Sequence, residues 1–308
     1  MSVTVLSQVG PLDQVEAQFP DVTVIQVPPN EKIPDDVRGA VLFTPMRATQ
    51  NLAEVLDRGV EWIHLAGTGI DGFRPELVTD QVVTCSRGAT ATWIAEWVVA
   101  QILAFEKRLP DAWATEPPER WGTPALGGLA GKKVALVGFG SIGQAVAARL
   151  LPFEVQLSAL RRSDGPSGMD GVQSTRSVAE LLDRASHVVL AAPGTPETQG
   201  MVNADFLAHL PEGAHLVNVA RGSLIDEDAL RRALDSGRLA AASLDVADPE
   251  PLPAGHWFYD HPKVRFSAHV SWSGPRVWDN MQRTFVDNLE RWIAGDPLQN
   301  VVDFDRGY

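Results

Sequence analysis

Twice along this chain, short apolar runs rich in β-branched residues alternate with segments of helical periodicity. That double alternation limits the fold more than any other feature. Residues 1 to about 95 carry the runs VTVLS, VTVIQV, AVLF and EWIHLA, separated by helical patterns that include LDQVEAQF and NLAEVLDRG. From Lys133 a second series begins: VALV, VQLSA, HVVLA, HLVNV, ASLDV and VRFS. Strands separated by helices pair in parallel, so the pattern predicts two α/β domains whose sheets are covered by helices. The near-continuous apolar strands of the second series fit a sheet buried on both faces. A helical pattern from about Thr92 to Arg108, followed by the irregular stretch LPDAWATEPPERWGTP, joins the two series. Ser177 and Glu180 make a capping box, and Gly237 suits the left-handed end of a helix closing at Leu234 to Ser236. After Pro275 a last helix, about Arg276 to Ala294, leads into the tail QNVVDFDRGY, which predicts a return to the first domain and a discontinuous first domain.

Charge and cysteine usage narrow the function classes. With 26 Lys+Arg against 39 Asp+Glu the formal net charge of the 308 residues is -13. A chain this acidic lacks the broad basic surface that nucleic acid or anionic lipid requires. Cys85 is the only cysteine, which rules out an intrachain disulfide and a multi-cysteine metal site, so no metal is expected. The start MSVTVLSQVG has no basic, apolar leader pattern, and no uninterrupted apolar stretch approaches the ~18 residues that span a bilayer. The expectation is a cytoplasmic protein with no membrane partner.

GFGSIG, Gly138 to Gly143, follows the strand VALV directly and opens a helix whose apolar positions Ile142, Val146, Ala147 and Leu150 share one face. In that context Gly138, Gly140 and Gly143 permit a tight turn, close approach to a pyrophosphate and close helix packing, while the helix amino terminus, with Ser141 and Ile142, stabilises the anion. The alternative is a Gly-rich turn that binds nothing. At the end of the second strand, where NAD-binding versions carry an acidic residue, stand Arg161, Arg162 and Ser163. Two guanidiniums and a hydroxyl suit a 2′-phosphate through charge-assisted hydrogen bonds, so NADP(H) is the preferred cofactor and NAD(H) the alternative. A solvated Arg pair would read the same way.

Ligands of doubly wound sheets bind beyond the carboxyl ends of the strands. There the chain places Ala192 to Thr198 after HVVLA, Ala220 and Arg221 after HLVNV, Asp245, Asp248 and Glu250 at and after ASLDV, and His269 after VRFS. One Arg, one Glu and one His beside a nicotinamide-type cofactor suit reduction of a keto acid.

At these residues the sequence resembles the D-isomer-specific 2-hydroxyacid dehydrogenase family. Five segments carry the resemblance: LAGTGIDGF at 65–73, GATATWIAEWVV at 88–99, LVGFGSIG at 136–143, NVARGSLIDEDAL at 218–230, and LDVADPEPLP through SAHVSWSG at 244–274. The spacings agree as well, 29 positions from Arg221 to Glu250 and 19 from Glu250 to His269.

The resemblance implies a Rossmann cofactor domain, 99–278, inserted into a flavodoxin-like substrate domain formed by 1–98 and 279–308. Arg221 would grip the substrate carboxylate and polarise the keto oxygen. His269 would be the proton donor in reduction, and Glu250 would orient its ring. Backbone amides around Gly69 and Ile70 would hold the carboxylate from the first domain. Pro193 and Thr198 would line the adenosine and pyrophosphate side, Val219 and Ala220 the nicotinamide approach, Asp245 the carboxamide, and Thr92 the nicotinamide or a phosphate. A homodimer through the helix of Trp93 and Trp97 is implied too. Two departures stand out: family members frequently carry an aspartate near position 161, and a small residue soon after the histidine where this chain has Val270, Ser271 and Trp272. The first disfavours NAD, the second disfavours lactate or phosphoglycerate as substrates, and Trp272 is the aromatic expected to line the pocket.

The expected activity is therefore NADPH-dependent reduction of a small 2-keto acid, with glyoxylate or hydroxypyruvate as the best candidates, to the (R)-2-hydroxy acid. An NAD-dependent D-2-hydroxyacid dehydrogenase for another substrate, and a non-catalytic nucleotide-sensing relative, are the alternatives.

Overall fold

A computed structural model of the chain describes residues 2–114, 116–117, 121–122, 125–162, 165–304 and 306–307. The chain divides into two compact units, Met1–Thr90 with Gly274–Tyr308, and Ala91–Ser273.

In the first unit the elements run β1 (Val3–Ser7), α1 (Asp13–Gln18), β2 (Val22–Gln26), β3 (Val41–Pro45), α2 (Leu52–Leu56), β4 (Trp62–Ala66) and β5 (Val82–Cys85). The five strands are parallel in the order β2-β1-β3-β4-β5, the flavodoxin-like arrangement. Period-two alternation sends Leu6, Leu42, Ile63 and Leu65 to one face with Leu52 and Val55 of α2. Val5, Val41, Phe43 and Trp62 face the other way. That second face is covered by α1 and by the last helix of the chain, α8 (Val277–Ala294), through Val15, Phe285, Val286 and Leu289. Phe285 stacks on Phe43 at 4.6 Å and on Trp62 at 5.4 Å. The tail then crosses the outer edge of β5: Thr84 and Val301 form an antiparallel bridge, and Val302 N–H donates to Val83 O at 2.8 Å. An exposed strand edge is thereby covered.

The second unit opens with α3 (Ala91–Glu106) and continues β6 (Lys133–Val137), α4 (Ser141–Leu150), β7 (Gln156–Leu160), β8 (Val172–Thr175), α5 (Val178–Leu182), β9 (Ala185–Leu190), α6 (Ala204–Ala208), β10 (Ala214–Asn218), α7 (Glu227–Ser236), β11 (Leu239–Leu244) and β12 (Val264–Phe266). Its seven strands are parallel in the order β12-β11-β10-β9-β6-β7-β8. Strand order reverses at β6 and β9, the switch point of a Rossmann sheet. Val134, Leu136, Val189 and Val217 pack under α3 and α4. Ala135, Val137, Val188, Leu190 and Leu216 pack under α5, α6 and α7. Because Ile94, Ala95, Val98 and Ile102 of α3 belong to the first of these cores, the whole helix groups with the second unit. The division thus falls after Thr90 and after Ser273, not after residues 98 and 278.

Local chemistry explains the helix ends. Ser177 Oγ accepts from Glu180 N–H at 3.2 Å, while the Glu180 carboxylate accepts from Thr175 Oγ at 2.7 Å, so the second arm of the expected capping box runs through Thr175. Gly237 closes α7 in the left-handed region at φ 84°. Two strands escaped the sequence pattern, β5 and β8. Each is a four-residue edge strand, and β8 buries only Val172, so backbone pairing with β7 rather than an apolar run defines it.

Candidate active site

β6 delivers the chain into Gly138, whose φ of 95° turns it sharply beside the exit of β9. A Cβ at Gly138 would lie 2.7 Å from Ala192 N, and one at Gly143 would lie 2.4 Å from Gly138 O. Gly140 differs, since a Cβ there would meet nothing within 4 Å. It is the N-cap of α4, and among the described residues no side-chain cap hydrogen bond closes the start of the helix. The fold needs two of the glycines; at the third an open space faces uncapped amides. That arrangement fits a pyrophosphate, and Ser141 and Ile142 occupy the first turn of the helix.

Arg161 and Arg162 leave the end of β7. Arg161 donates from its backbone N–H to Thr175 O at 3.1 Å and from Nη1 to Pro166 O. Glu197 approaches from the turn after β9. A hydrogen bond from Thr195, aided by the charge of Arg162, holds its carboxyl below the usual range. Ser163 lies outside the described residues. In that same turn the Thr198 hydroxyl donates to Pro193 O at 2.7 Å and accepts from Thr195 N–H at 2.8 Å, folding the segment back on itself.

Beyond β10, Val219 and Ala220 are buried and Arg221 is half-buried. Arg221 Nη1 donates to Ala220 O at 2.7 Å. Asn218, the fully buried last residue of β10, grips the turn: its amide donates to Arg221 O at 2.9 Å and its Oδ1 accepts from Ala220 N–H at 3.0 Å. Gly222 lets this turn touch the chain after β11, since a Cβ there would sit 2.0 Å from Ala247 C.

Asp245 follows β11 and has no accessible surface. Its Oδ1 accepts from Ser267 Oγ at 2.5 Å and from Val270 N–H at 2.9 Å, and its Oδ2 accepts from Ser271 N–H at 2.9 Å. The carbonyl of Asp245 accepts from His269 N–H at 2.7 Å. His269 adopts φ 53° and projects an exposed ring whose Nδ1 lies 2.9 Å from Glu250 Oε2. Glu250 is itself steadied through Oε1, which accepts from Ala247 N–H at 3.2 Å.

The structure thus joins Glu250 to His269 directly, and it sets Arg221, Asp245 and His269 beyond the carboxyl ends of the neighbouring strands β10, β11 and β12. A carboxylate on Nδ1 fixes the ring and leaves Nε2 for proton transfer. Thr92 sits exposed in the first turn of α3. Gly69 and Ile70 belong to the loop after β4 of the first unit, where Ile70 O accepts from Phe73 N–H at 2.9 Å. Two depressions of about 370 and 350 Å³ lie away from these strand ends, one along α8 and one at the amino ends of β9 and β10. Among the described residues no group of three His, Cys, Asp or Glu side chains could hold a metal ion, and no helix is long and apolar enough to cross a membrane. Asn218 was missed by the sequence reading. Its signal was a polar residue in the last position of an otherwise apolar strand core.

Comparison with known proteins places the chain in a family. A family model for the NAD binding domain of D-isomer specific 2-hydroxyacid dehydrogenases matches residues 99–271. Glyoxylate/hydroxypyruvate reductase A of Serratia proteamaculans is 30% identical over 98% of this chain and 94% of its own length. The human glyoxylate reductase/hydroxypyruvate reductase is 32% identical over 74% of this chain and 68% of its own. A D-isomer specific 2-hydroxyacid dehydrogenase from Xanthobacter autotrophicus Py2, solved in complex with NADPH and MES, superposes with a TM-score of 0.85 at 28% identity over the whole of both chains. The chain belongs to the D-isomer specific 2-hydroxyacid dehydrogenase family and is an NAD(P)-dependent oxidoreductase.

Proposed function

We propose that the protein reduces a small 2-keto acid, glyoxylate or hydroxypyruvate, with NADPH, yielding the (R)-2-hydroxy acid where the product is chiral. The observation that carries this reading is the 2.9 Å pairing of His269 with Glu250 at the strand ends where Arg221 also emerges. The named activities of the Serratia and human relatives support the substrate class, and NADPH in the Xanthobacter relative supports the cofactor.

A nicotinamide nucleotide held at the Gly138 to Gly143 turn would supply the hydride that the keto carbon accepts. His269 gives the proton to the keto oxygen from Nε2, and Glu250 holds the ring and balances its charge. Arg221 binds the substrate carboxylate, for which its planar fork is suited, and polarises the keto group. On the cofactor side, the amides at Gly138 to Gly143 would take the pyrophosphate and Arg161 and Arg162 the 2′-phosphate. Pro193, Thr198, Val219, Ala220 and Thr92 flank the nucleotide. We assign Asp245 to holding the 267–271 segment rather than to the carboxamide, because a group without accessible surface offers a ligand nothing to touch.

One observation favours a second reading, use of NADH: the Glu197 carboxylate lies within the field of Arg162 and offsets part of the positive charge that a 2′-phosphate would meet. Steady-state reduction of a panel of 2-keto acids with each cofactor separates the two. His269→Ala should lower turnover by ~100-fold or more with NADPH binding retained, as expected for loss of a general acid. Wild-type turnover in that variant would remove His269 from the chemistry. We also propose a homodimer, which the mass in solution by light scattering tests.

A further inference from the structure

His269 stands in the left-handed region at φ 53°, a conformation that costs a non-glycine residue about 1 kcal/mol or more and persists only where the surroundings impose it. The surroundings are explicit. Its N–H is shared between Asp245 O at 2.7 Å and Ser267 O at 3.1 Å. The next two amides, of Val270 and Ser271, end on the Asp245 carboxylate, and Ser273 N–H returns to Val270 O at 2.9 Å. These bonds fix the peptide before His269 and the two residues after it. The His269 carbonyl is held by a side chain: the indole Nε1–H of Trp272 donates to it at 2.8 Å.

Burial does not explain this tryptophan. Trp272 is 42% exposed and Val270 beside it is 49% exposed, so hydrophobic packing accounts for only part of the ring's placement. A tryptophan left this open, with its polar atom turned back onto the main chain of the proposed proton donor, is spent on geometry. We infer that Trp272 is a positioning residue for His269. Its indole N–H holds the carbonyl of the 269–270 peptide, Asp245 holds the N–H of that peptide and the amides on either side of it, and Glu250 holds the ring. The direction of Nε2 is then set from three sides. Displacing a reacting group by about 1 Å can cost ~100-fold in rate, so a lost hydrogen bond here should be read in turnover before stability.

The inference rests on His269 being the proton donor, and the test separates the two. In the full-length protein, Trp272→Phe keeps an apolar ring and removes the donor, Trp272→Ala removes both, and His269→Ala is the reference. Turnover and KM for glyoxylate and hydroxypyruvate, NADPH affinity, melting temperature and the solvent deuterium isotope effect on kcat are measured for each. Trp272→Phe should lower kcat by about 2- to 10-fold, the scale of one net hydrogen bond, while KM, NADPH affinity and melting temperature stay near wild type. The solvent isotope effect should rise as proton delivery becomes slower. Wild-type kcat in Trp272→Phe, with His269→Ala inactive, overturns the inference. So does a kcat loss that Trp272→Phe shares in proportion with NADPH affinity and melting temperature, which marks a merely structural role. Full activity in His269→Ala instead overturns the reading of the site on which the inference rests.

Discussion

Gly140→Ala is the substitution that most sharply separates a turn that binds a nucleotide from one that merely folds. At φ -79° Gly140 already occupies backbone space open to alanine, and the new methyl would meet no atom of the chain within 4 Å. Two small stability effects oppose each other: reduced unfolded-state entropy gains about 0.4–1 kcal/mol, and a poorer N-cap loses a similar amount. The net change should stay within about 1 kcal/mol, or a few degrees of melting temperature at most. Gly143→Ala is the contrast, because its Cβ would lie 2.4 Å from Gly138 O and backbone must move, at about 1–3 kcal/mol or more. For binding the order reverses. In Gly140→Ala the methyl fills the space in front of the uncapped amides of α4, and loss of one charge-assisted hydrogen bond, about 1.5–3 kcal/mol, should weaken NADPH by ~10- to ~150-fold. Thermal melts and calorimetric titration with NADPH measure both quantities on the same samples. Wild-type affinity in Gly140→Ala, or a melting temperature that falls as far as that of Gly143→Ala, refutes the assignment of the open space to the cofactor.

Other outcomes follow from the same coordinates. Arg161→Asp with Arg162→Ala should weaken NADPH far more than NADH in competitive titrations; equal weakening removes the 2′-phosphate contact. Asp245→Asn puts an amide donor among the three donors that converge on this buried carboxylate, so turnover should fall by ~10-fold or more in steady-state assays. Phe285→Ala removes a fully buried ring stacked on Phe43 and Trp62 and should cost about 3–5 kcal/mol in urea denaturation. Acid should destabilise the fold through buried histidines. Desolvation pushes His64 down to about 3 and His187 to about 4, and holds His215 well below its usual value. The unfolded chain therefore takes up protons that the folded chain refuses, and stability falls as pH drops from 6.5 towards 4. His187 alone contributes about 3 kcal/mol of that loss, and urea midpoints that stay flat across the window would exclude it.

How much of this was legible in the sequence depends on what each residue is asked to do. Apolar, β-branched runs made ten of the twelve strands among the described residues legible, the partly exposed edges β2 and β12 included; the two missed, β5 and β8, are four-residue edges. The Gly-rich turn, which we assign to the pyrophosphate, was readable because three glycines between a strand and a helix have few other reasons to coincide. What stayed hidden was the scaffolding of the site. Asn218 and Asp245 sit within or just beyond apolar strands, and from the sequence Asp245 looked like a ligand contact. In the structure both turn inward onto backbone: Asn218 shapes the Arg221 turn, Asp245 shapes the His269 turn, and Asp245 N–H donates to Asn218 O at 3.0 Å, which ties the two together. A buried polar side chain at a strand's end must be satisfied by something, and in a Rossmann sheet the nearest unsatisfied groups are the amides and carbonyls of the very loops that carry the chemistry. The polar residue that ends an apolar strand is thus better read as the support of the next loop than as a member of the site itself. That reading accounts for Arg221, whose turn Asn218 holds at a defined point beyond the sheet.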